Sequence, residues 1–341
     1  MKALYYSELK GYQGIKAGEF PVPEITDNEV LVRVKAFSLN HLDVWVMSGS
    51  YPVTIPLPHI FGSDASGIVE RTGKAVAHLK AGDEVVIHPG LSCGHCAACL
   101  GGRDNECNEF SVLGVVTPGV SAEYVKVPAG NLFPKPAGLS FEEAAGIGVT
   151  YTTAWNSLVL RAGIRQGETV LVQAAGSGAG TAVIQVAKLF NATVITTVGD
   201  DWKAAKAREL GSDLVINHRQ EDFLEAVKRF THGKLVDIAV DHVGGDTFTR
   251  SVAAVRRGGR IVTFGATSGD EAKLSLRQVF GKNLTVHGVY VGPRAAVPQY
   301  LPLFPQKLRT VVDSVFSFEE APRAYEKLLS RQFFGKIVVR V

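Results

Sequence analysis

T-V-L-V-Q-A-A-G-S-G-A-G-T-A-V-I-Q-V-A-K-L-F, residues 169–190, decides how this chain folds. Thr169–Gln173 reads as a strand, a turn of small residues follows, and an apolar helix runs from about Gly178 to Phe190. Val183, Ala187 and Phe190 share one face of that helix. In the turn, Gly176, Ser177, Gly178, Ala179 and Gly180 leave backbone N–H groups open at the positive helix end, where they can cradle a pyrophosphate. A glycine cluster alone says little, because any tight strand-to-helix turn favours glycine. The surrounding pattern decides. Further strands are expected at Thr193–Val198, Asp213–Ile216, Val236–Val240, Arg260–Phe264 and Leu284–His287. Helices around Trp202–Leu210, Glu221–Phe230 and Asp246–Arg256 separate most of them. Six strands with helical crossovers predict a doubly wound parallel sheet in an α/β domain, and the turn opening its first unit predicts dinucleotide binding.

The kind of dinucleotide turns on the end of the second strand. An acid there would hold the ribose 2′-hydroxyl of NAD. This chain has Val198-Gly199, which leaves room for a 2′-phosphate, and Lys203, His218 and Arg219 are near enough in sequence to supply positive charge. Asp200 and Asp201 argue the other way, since either could reach the ribose. The expectation is NADP(H) in preference to NAD(H).

Upstream, the first ~150 residues carry short Val/Ile strands punctuated by Gly and Pro. Val30–Ala36 alternates as a half-buried strand does, and Gly67–Glu70 and Asp83–Ile87 read similarly. Into this mostly β module is set C-G-H-C-A-A-C-L-G-G-R-D-N-E-C, which holds all four cysteines of the chain: Cys93, Cys96, Cys99 and Cys107. Thiolates at this spacing can converge on one tetrahedral Zn²⁺ and fill its coordination sphere, leaving no place for substrate. Such a zinc is structural. The alternatives are free thiols or two disulfides, and disulfides crowded into so short a loop would be strained. The last ~40 residues end in G-K-I-V-V, 335–339, a strand expected to return to the first module.

With 341 residues the chain can build two cores. It is 46% hydrophobic and 20% charged, and its net charge of +3 is dispersed, so nothing asks for nucleic acid or an anionic membrane. No apolar run approaches the ~20 residues of a membrane span. The N-terminal M-K-A-L-Y reads as a strand and not as a signal peptide, so a cytoplasmic location is expected.

G-I-V-E-R-T-G at 67–73, G-D-E-V at 82–85, the cysteine lobe, A-A-G-S-G-A-G at 174–180 and the closing G-K-I-V-V occur in the order found in the medium-chain dehydrogenase/reductase family, which the whole chain resembles. That family includes zinc alcohol dehydrogenases and quinone oxidoreductases. The resemblance implies a GroES-like domain at 1–150, a Rossmann domain at 151–290, and a return to the first domain at 291–341. It also implies an active site in the cleft between domains and a homo-oligomer, dimer or tetramer, built through the Rossmann sheets.

The departures matter as much. Zinc alcohol dehydrogenases of the family hold a second, catalytic zinc through a Cys in C-H-x-D, a His in G-H-E and a Cys opening the segment into the Rossmann domain. The matching residues here are Asn40 in N-H-L-D, Ser63 in G-S-D, and Val149. Amide, hydroxyl and isopropyl are poor zinc ligands. Asp64 matches the Glu of G-H-E, but one carboxylate cannot hold the ion, and Leu42 stands where a hydroxyl relays the alcohol proton. One structural zinc and no catalytic zinc are therefore expected. His41, Asp43, His59 and Asp64 are the side chains from which an unconventional site could be built.

Without a Lewis acid, alcohol oxidation should be slow, whereas an electron-poor carbonyl or quinone accepts hydride with less help. The segment S-L-N-H-L-D also resembles the zinc-free quinone oxidoreductase branch, in which this Asn lies beside the nicotinamide. The resemblance implies that Asn40 orients the nicotinamide or donates to the substrate oxygen, and that His41 approaches the cofactor phosphates. It implies contacts from Thr153 to the nicotinamide amide, from Val243, Phe264 and Val289 to the ribose and ring, and from Lys336 to the pyrophosphate. Solvent, a cofactor hydroxyl or His41 could supply the proton. Two other readings stand beside this one: a catalytically silent NADPH-binding sensor, and a zinc alcohol dehydrogenase with atypical ligands.

Overall fold

The structure, a computed structural model, describes residues 1–341. The chain divides into two compact units, Met1–Thr152 with Pro293–Val341, and Thr153–Gly292. The boundaries expected after residues 150 and 290 lie two residues before these.

The first unit is built on a mostly antiparallel sheet. Its order is Leu132–Pro134, Glu84–Ile87, Asp64–Thr72, Glu29–Ser38, Lys336–Arg340, Val312–Phe316. The long strand Glu29–Ser38 organises it. It buries Val30, Val32, Val34 and Ala36 as alternation predicts, and Leu31 and Phe37 as well, and it serves three partners. Asp64–Thr72 runs along one edge, Tyr124–Pro128 pairs with its first half, and Lys336–Arg340 pairs with its last residues through Val338↔Ser38. The chain thus comes back to the first unit to complete a sheet begun about 300 residues earlier. Lys2–Tyr6 forms a smaller sheet with Lys16–Glu19 and His59–Ile60.

The second unit is a six-stranded sheet, parallel throughout. Its order is Leu214–Asn217, Thr193–Val198, Thr169–Val172, Val236–Val240, Val255–Thr263, Thr285–Gly288. Helices Gly178–Leu189, Asp201–Glu209, Phe223–Phe230 and Gly245–Ala254 join successive strands. The reversal of strand order falls beside Thr169–Val172, where a doubly wound sheet opens a ligand crevice at its carboxyl edge. Leu171, Ile195, Ile216, Val236 and Ile261 pack with Phe223, Val227 and Val252 into one core. Burying each of the larger side chains contributes about 1.5–3 kcal/mol.

Four elements differ from expectation. Gly178–Leu189 is not one-faced: Thr181 through Ala187 are all buried, and Phe190 is only partly so. A π-helical segment, Asn156–Arg161, precedes the first strand of the sheet, and a short helix, Leu276–Lys282, precedes the last. The strand expected from Arg260 begins at Val255. No helix is long and apolar enough to cross a membrane.

Candidate functional site

The cysteine lobe is a tight loop pinned to the first unit. Cys96 caps a one-turn helix, Ala97–Leu100, and a 3₁₀ turn, Asp104–Glu106, brings Cys107 back. The Sγ separations are 3.9 Å for Cys93–Cys99, 3.6 Å for Cys96–Cys99 and 3.5 Å for Cys93–Cys107. A disulfide requires about 2.05 Å, so all four thiols are free. A tetrahedron with metal–sulfur bonds of about 2.3 Å has edges of about 3.8 Å, so the donor set suits zinc in both chemistry and spacing. Buried Asp104 ties the lobe down, accepting from Arg294 N at 3.0 Å and Nε at 3.2 Å.

In the second unit, Ser177 caps the helix Gly178–Leu189, its Oγ accepting from Gly180 N at 2.9 Å and lying 2.9 Å from His242 Nε2. A Cβ at Gly180 would fall 2.4 Å from the Ala174 carbonyl oxygen, so only glycine permits this close turn. Gly176, Ser177, Gly178 and Ala179 stay half exposed, as N–H groups offered to a pyrophosphate must. Behind them runs a buried polar chain. Ala174 N donates to Thr197 Oγ1 at 3.1 Å, and Thr197 donates to Gln173 Oε1 at 2.6 Å. Gln173 Nε2 then reaches Ser251 Oγ at 3.0 Å, which donates to Asp241 Oδ2 at 2.7 Å. Asp241 Oδ1 accepts from the backbone of Val243 and Gly244. Burial raises the Asp241 pKa above the ordinary aspartate value, and the hydrogen bonds it accepts offset part of that rise. This chain of bonds locks the ends of three strands around the glycine turn. Val243, Phe264 and Val289 follow the ends of Val236–Val240, Val255–Thr263 and Thr285–Gly288; the Phe264 ring stacks on His242 at 4.9 Å, and Val289 is buried.

At the end of Thr193–Val198, a Cβ on Gly199 would lie 3.4 Å from His218 Nε2 and 3.7 Å from Arg219 Nε. The two acids that follow are engaged. Asp200 pairs with Arg219 at 2.8 Å and with Lys203 at 3.7 Å. Asp201 accepts from Asn217 at 2.7 Å and from Gln220 at 3.0 Å.

In the first unit, Asn40 caps the helix His41–Ser48, its backbone N–H donating to Asp43 Oδ2 at 2.8 Å. Asp43 is buried, accepts from Tyr325 Oη at 3.0 Å, and has its pKa pushed up to about 6 by burial. Lys336 is also buried, and its Nζ lies 2.8 Å from Leu39 O, 2.7 Å from Asn40 Oδ1 and 3.2 Å from Asp64 Oδ2. Asp64, fully buried, takes Ser38 Oγ at 3.0 Å on the same oxygen and Val149 N at 3.1 Å on the other. Ser63 is buried with its Oγ unpartnered. His41 packs edge-on against Trp45. Burial first, and the Arg331 charge second, hold its pKa below the ordinary histidine value. A neutral imidazole at pH 7 is a weak partner for phosphate and a weak proton source. Thr153 is buried in the helix Gly148–Trp155.

Two family profiles match the chain: an alcohol dehydrogenase GroES-like domain over residues 26–137 and a zinc-binding dehydrogenase over residues 178–306. An alcohol dehydrogenase from Geobacillus stearothermophilus is 32% identical over 344 residues, spanning 100% of both chains. Quinone oxidoreductase 1 from Escherichia coli is 34% identical over 76% of this chain and 71% of its own. A crystal structure of an NAD-dependent alcohol dehydrogenase superimposes with a TM-score of 0.96 at 44% identity, covering 100% of each chain. The chain belongs to the medium-chain dehydrogenase/reductase family. It is an oxidoreductase, with the GroES-like and Rossmann-type architecture of that family.

The family resemblance implies a contact from Lys336 to the pyrophosphate; in the structure its ammonium has three donors, and three acceptors of the first unit meet them. The Gln173–Thr197–Ser251–Asp241 chain was missed. Polar residues closing otherwise apolar strands were its signal. The tethering of Asn40 to Lys336 was missed as well, and no local pattern announces it.

Proposed function

We propose that this enzyme uses NADP(H) to reduce a bulky apolar or activated ketone, or a quinone, and that it does so without a catalytic zinc. A nicotinamide dinucleotide held with its pyrophosphate at the glycine turn would supply a hydride; that hydride and one proton together convert a carbonyl to an alcohol or a quinone to a hydroquinone. The observation that carries the reading is the Lys336 ammonium, which sits on Asn40 Oδ1 and Asp64 Oδ2, at two of the positions from which the family's metal site is built. A buried cation there consumes the oxygen donors and repels a second cation. Val149 offers no donor, and Ser63 only a hydroxyl. Asn40 then meets the substrate oxygen, and solvent is the favoured proton source over His41 because of the depressed imidazole pKa.

The preference for the 2′-phosphate rests on Gly199, with His218 and Arg219 facing the space beside it and both nearby acids paired. Lys203 lends charge through Asp200. Cys93, Cys96, Cys99 and Cys107 hold one structural zinc. The subunit is part of a homo-oligomer joined through Thr285–Gly288, an edge strand on which Val286 is 41% exposed. The helix leading into it leaves Leu276 and Phe280 more than 70% exposed. An unpaired edge flanked by apolar side chains is a pairing surface that a monomer would have to protect.

A second reading, NAD(H)-dependent oxidation of an alcohol, is favoured by the activity named for the 44%-identical structure. Zinc per chain by native mass spectrometry, paired with NADPH and NADH oxidation against 1,4-benzoquinone, 2-cyclohexenone and acetophenone, separates the two. One zinc with faster NADPH turnover supports the proposal. Two zincs with faster NADH turnover would overturn it, and binding without turnover on any acceptor would favour a sensor.

A further inference from the structure

We infer that Lys336 is a positioning residue: it fixes the Asn40 amide with Nδ2 turned toward the substrate oxygen. The inference rests on the proposed carbonyl reduction and goes beyond it by assigning the group that sets the polarity of the site.

An amide side chain can present either end, and its usefulness depends on which. Oδ1 would repel a carbonyl oxygen, whereas Nδ2 would donate to it. An ammonium accepts no hydrogen bond, so the Asn40 atom 2.7 Å from Lys336 Nζ must be the oxygen. Lys336 has no slack with which to let go. It is 3% exposed, and its remaining donors are held by Leu39 O at 2.8 Å and Asp64 Oδ2 at 3.2 Å. Asn40 is gripped at its backbone too, through its N–H to Asp43 Oδ2 at 2.8 Å. At the other end of the amide, Nδ2 has two protons and a single long contact, 3.5 Å to Ser38 O. One proton is left to give. A donor held in place before hydride arrives stabilises the oxyanion that develops on the acceptor, at no cost of reorientation. Asp64 completes the device by neutralising the ammonium, so that the positive charge stays put at the amide oxygen.

The test uses full-length enzyme with NADPH and two probes, 9,10-phenanthrenequinone and 2-cyclohexenone. Asp64→Asn/Lys336→Met removes both charges together, because an unpaired buried carboxylate would threaten folding. That pair should lower kcat about tenfold to a hundredfold, the size of one lost charge-strengthened hydrogen bond, with KM for NADPH unchanged. On an Asn40→Ala background the same pair should cost nothing further, since Lys336 acts only through Asn40. Asn40→Asp, which keeps an acceptor beside Lys336 and loses the donor, should match Asn40→Ala in kcat and guards against a double variant that fails to fold. The ¹⁵N side-chain signal of Asn40 should shift in Asp64→Asn/Lys336→Met. Undiminished kcat in the paired variant or in Asn40→Asp, or a full additive loss on the Asn40→Ala background, would overturn the assignment. If wild type reduces neither probe, the carbonyl-reduction reading fails by itself, and the Asn40 signal decides the positioning role: a shift supports it, an unchanged signal refutes it.

Discussion

Replacing Asp43 with asparagine should make the protein more stable, and increasingly so as pH rises. Burial pushes the Asp43 pKa from the ordinary 3.8 to about 6. The folded state therefore holds a proton that the unfolded chain has released, and stability falls as pH rises from 3.8 through 6 and is flat beyond. At 1.36 kcal/mol per pKa unit, the full cost is about 3 kcal/mol above pH 7, and about 1.4 kcal/mol of it accrues between pH 5 and pH 8. The Asp43→Asn variant escapes this cost, because its amide has no proton to lose. It also keeps the contacts: Asn40 N and Tyr325 Oη both donate to the same oxygen, Oδ2, and one amide oxygen can accept both. Urea unfolding of wild type and Asp43→Asn, followed by tryptophan fluorescence at pH 5, 6, 7 and 8, isolates the effect as a difference between two chains. That difference should grow in favour of the variant by about 1.4 kcal/mol across the series. A difference that stays flat, or that shrinks with rising pH, would mean Asp43 is ionised at little cost and the burial argument is wrong.

The remaining expectations concern the metal, the turn and the edge. Cys99→Ser should abolish the single bound zinc in mass spectrometry and lower Tm by roughly 5–10 °C, the equivalent of about 2–3 kcal/mol; retained zinc would refute the four-sulfur site. Gly180→Ala forces a Cβ to 2.4 Å from the Ala174 carbonyl and should weaken NADPH binding by calorimetry at least about tenfold. Gly281→Ala, where a Cβ meets nothing within 4 Å in a helix, should be tolerated or slightly stabilising. Val286→Lys places charge on the exposed edge strand and should shift sedimentation toward the monomer, whereas an unchanged sedimentation coefficient would move the subunit contact elsewhere.

Local features are the legible ones. The glycine turn declares itself because the apolar period changes from strand to helix across seven residues, and Cys93–Cys107 because four thiols in fifteen residues have few other uses. Periodicity alone misreads Gly178–Leu189, since a pattern of apolar residues does not tell whether the opposite face is also covered. The start of Val255–Thr263 is hidden because Gly258-Gly259 reads as a break, while the strand continues through it. The Asn40 cluster is half visible. The absence of Cys and His at the metal positions is written in the residues, but the cation that meets Asn40 and Asp64 comes from a residue 272 positions beyond Asp64. Nothing short of the folded sheet brings it there.

That distance has a consequence for how the protein is made. At about 5–20 residues per second, synthesis separates Ser38 from its partner Val338 by about 15–60 s. The second unit is contiguous in the chain and can fold in that interval. Meanwhile the end of Glu29–Ser38 has an unpaired edge, and Asp64 waits without its counter-charge. The nascent first unit is thus an open sheet with a lone acid at its heart, a state that invites chaperone capture. A ribosome stalled before Lys336 would leave a chain with a finished dinucleotide fold attached to a module that cannot close.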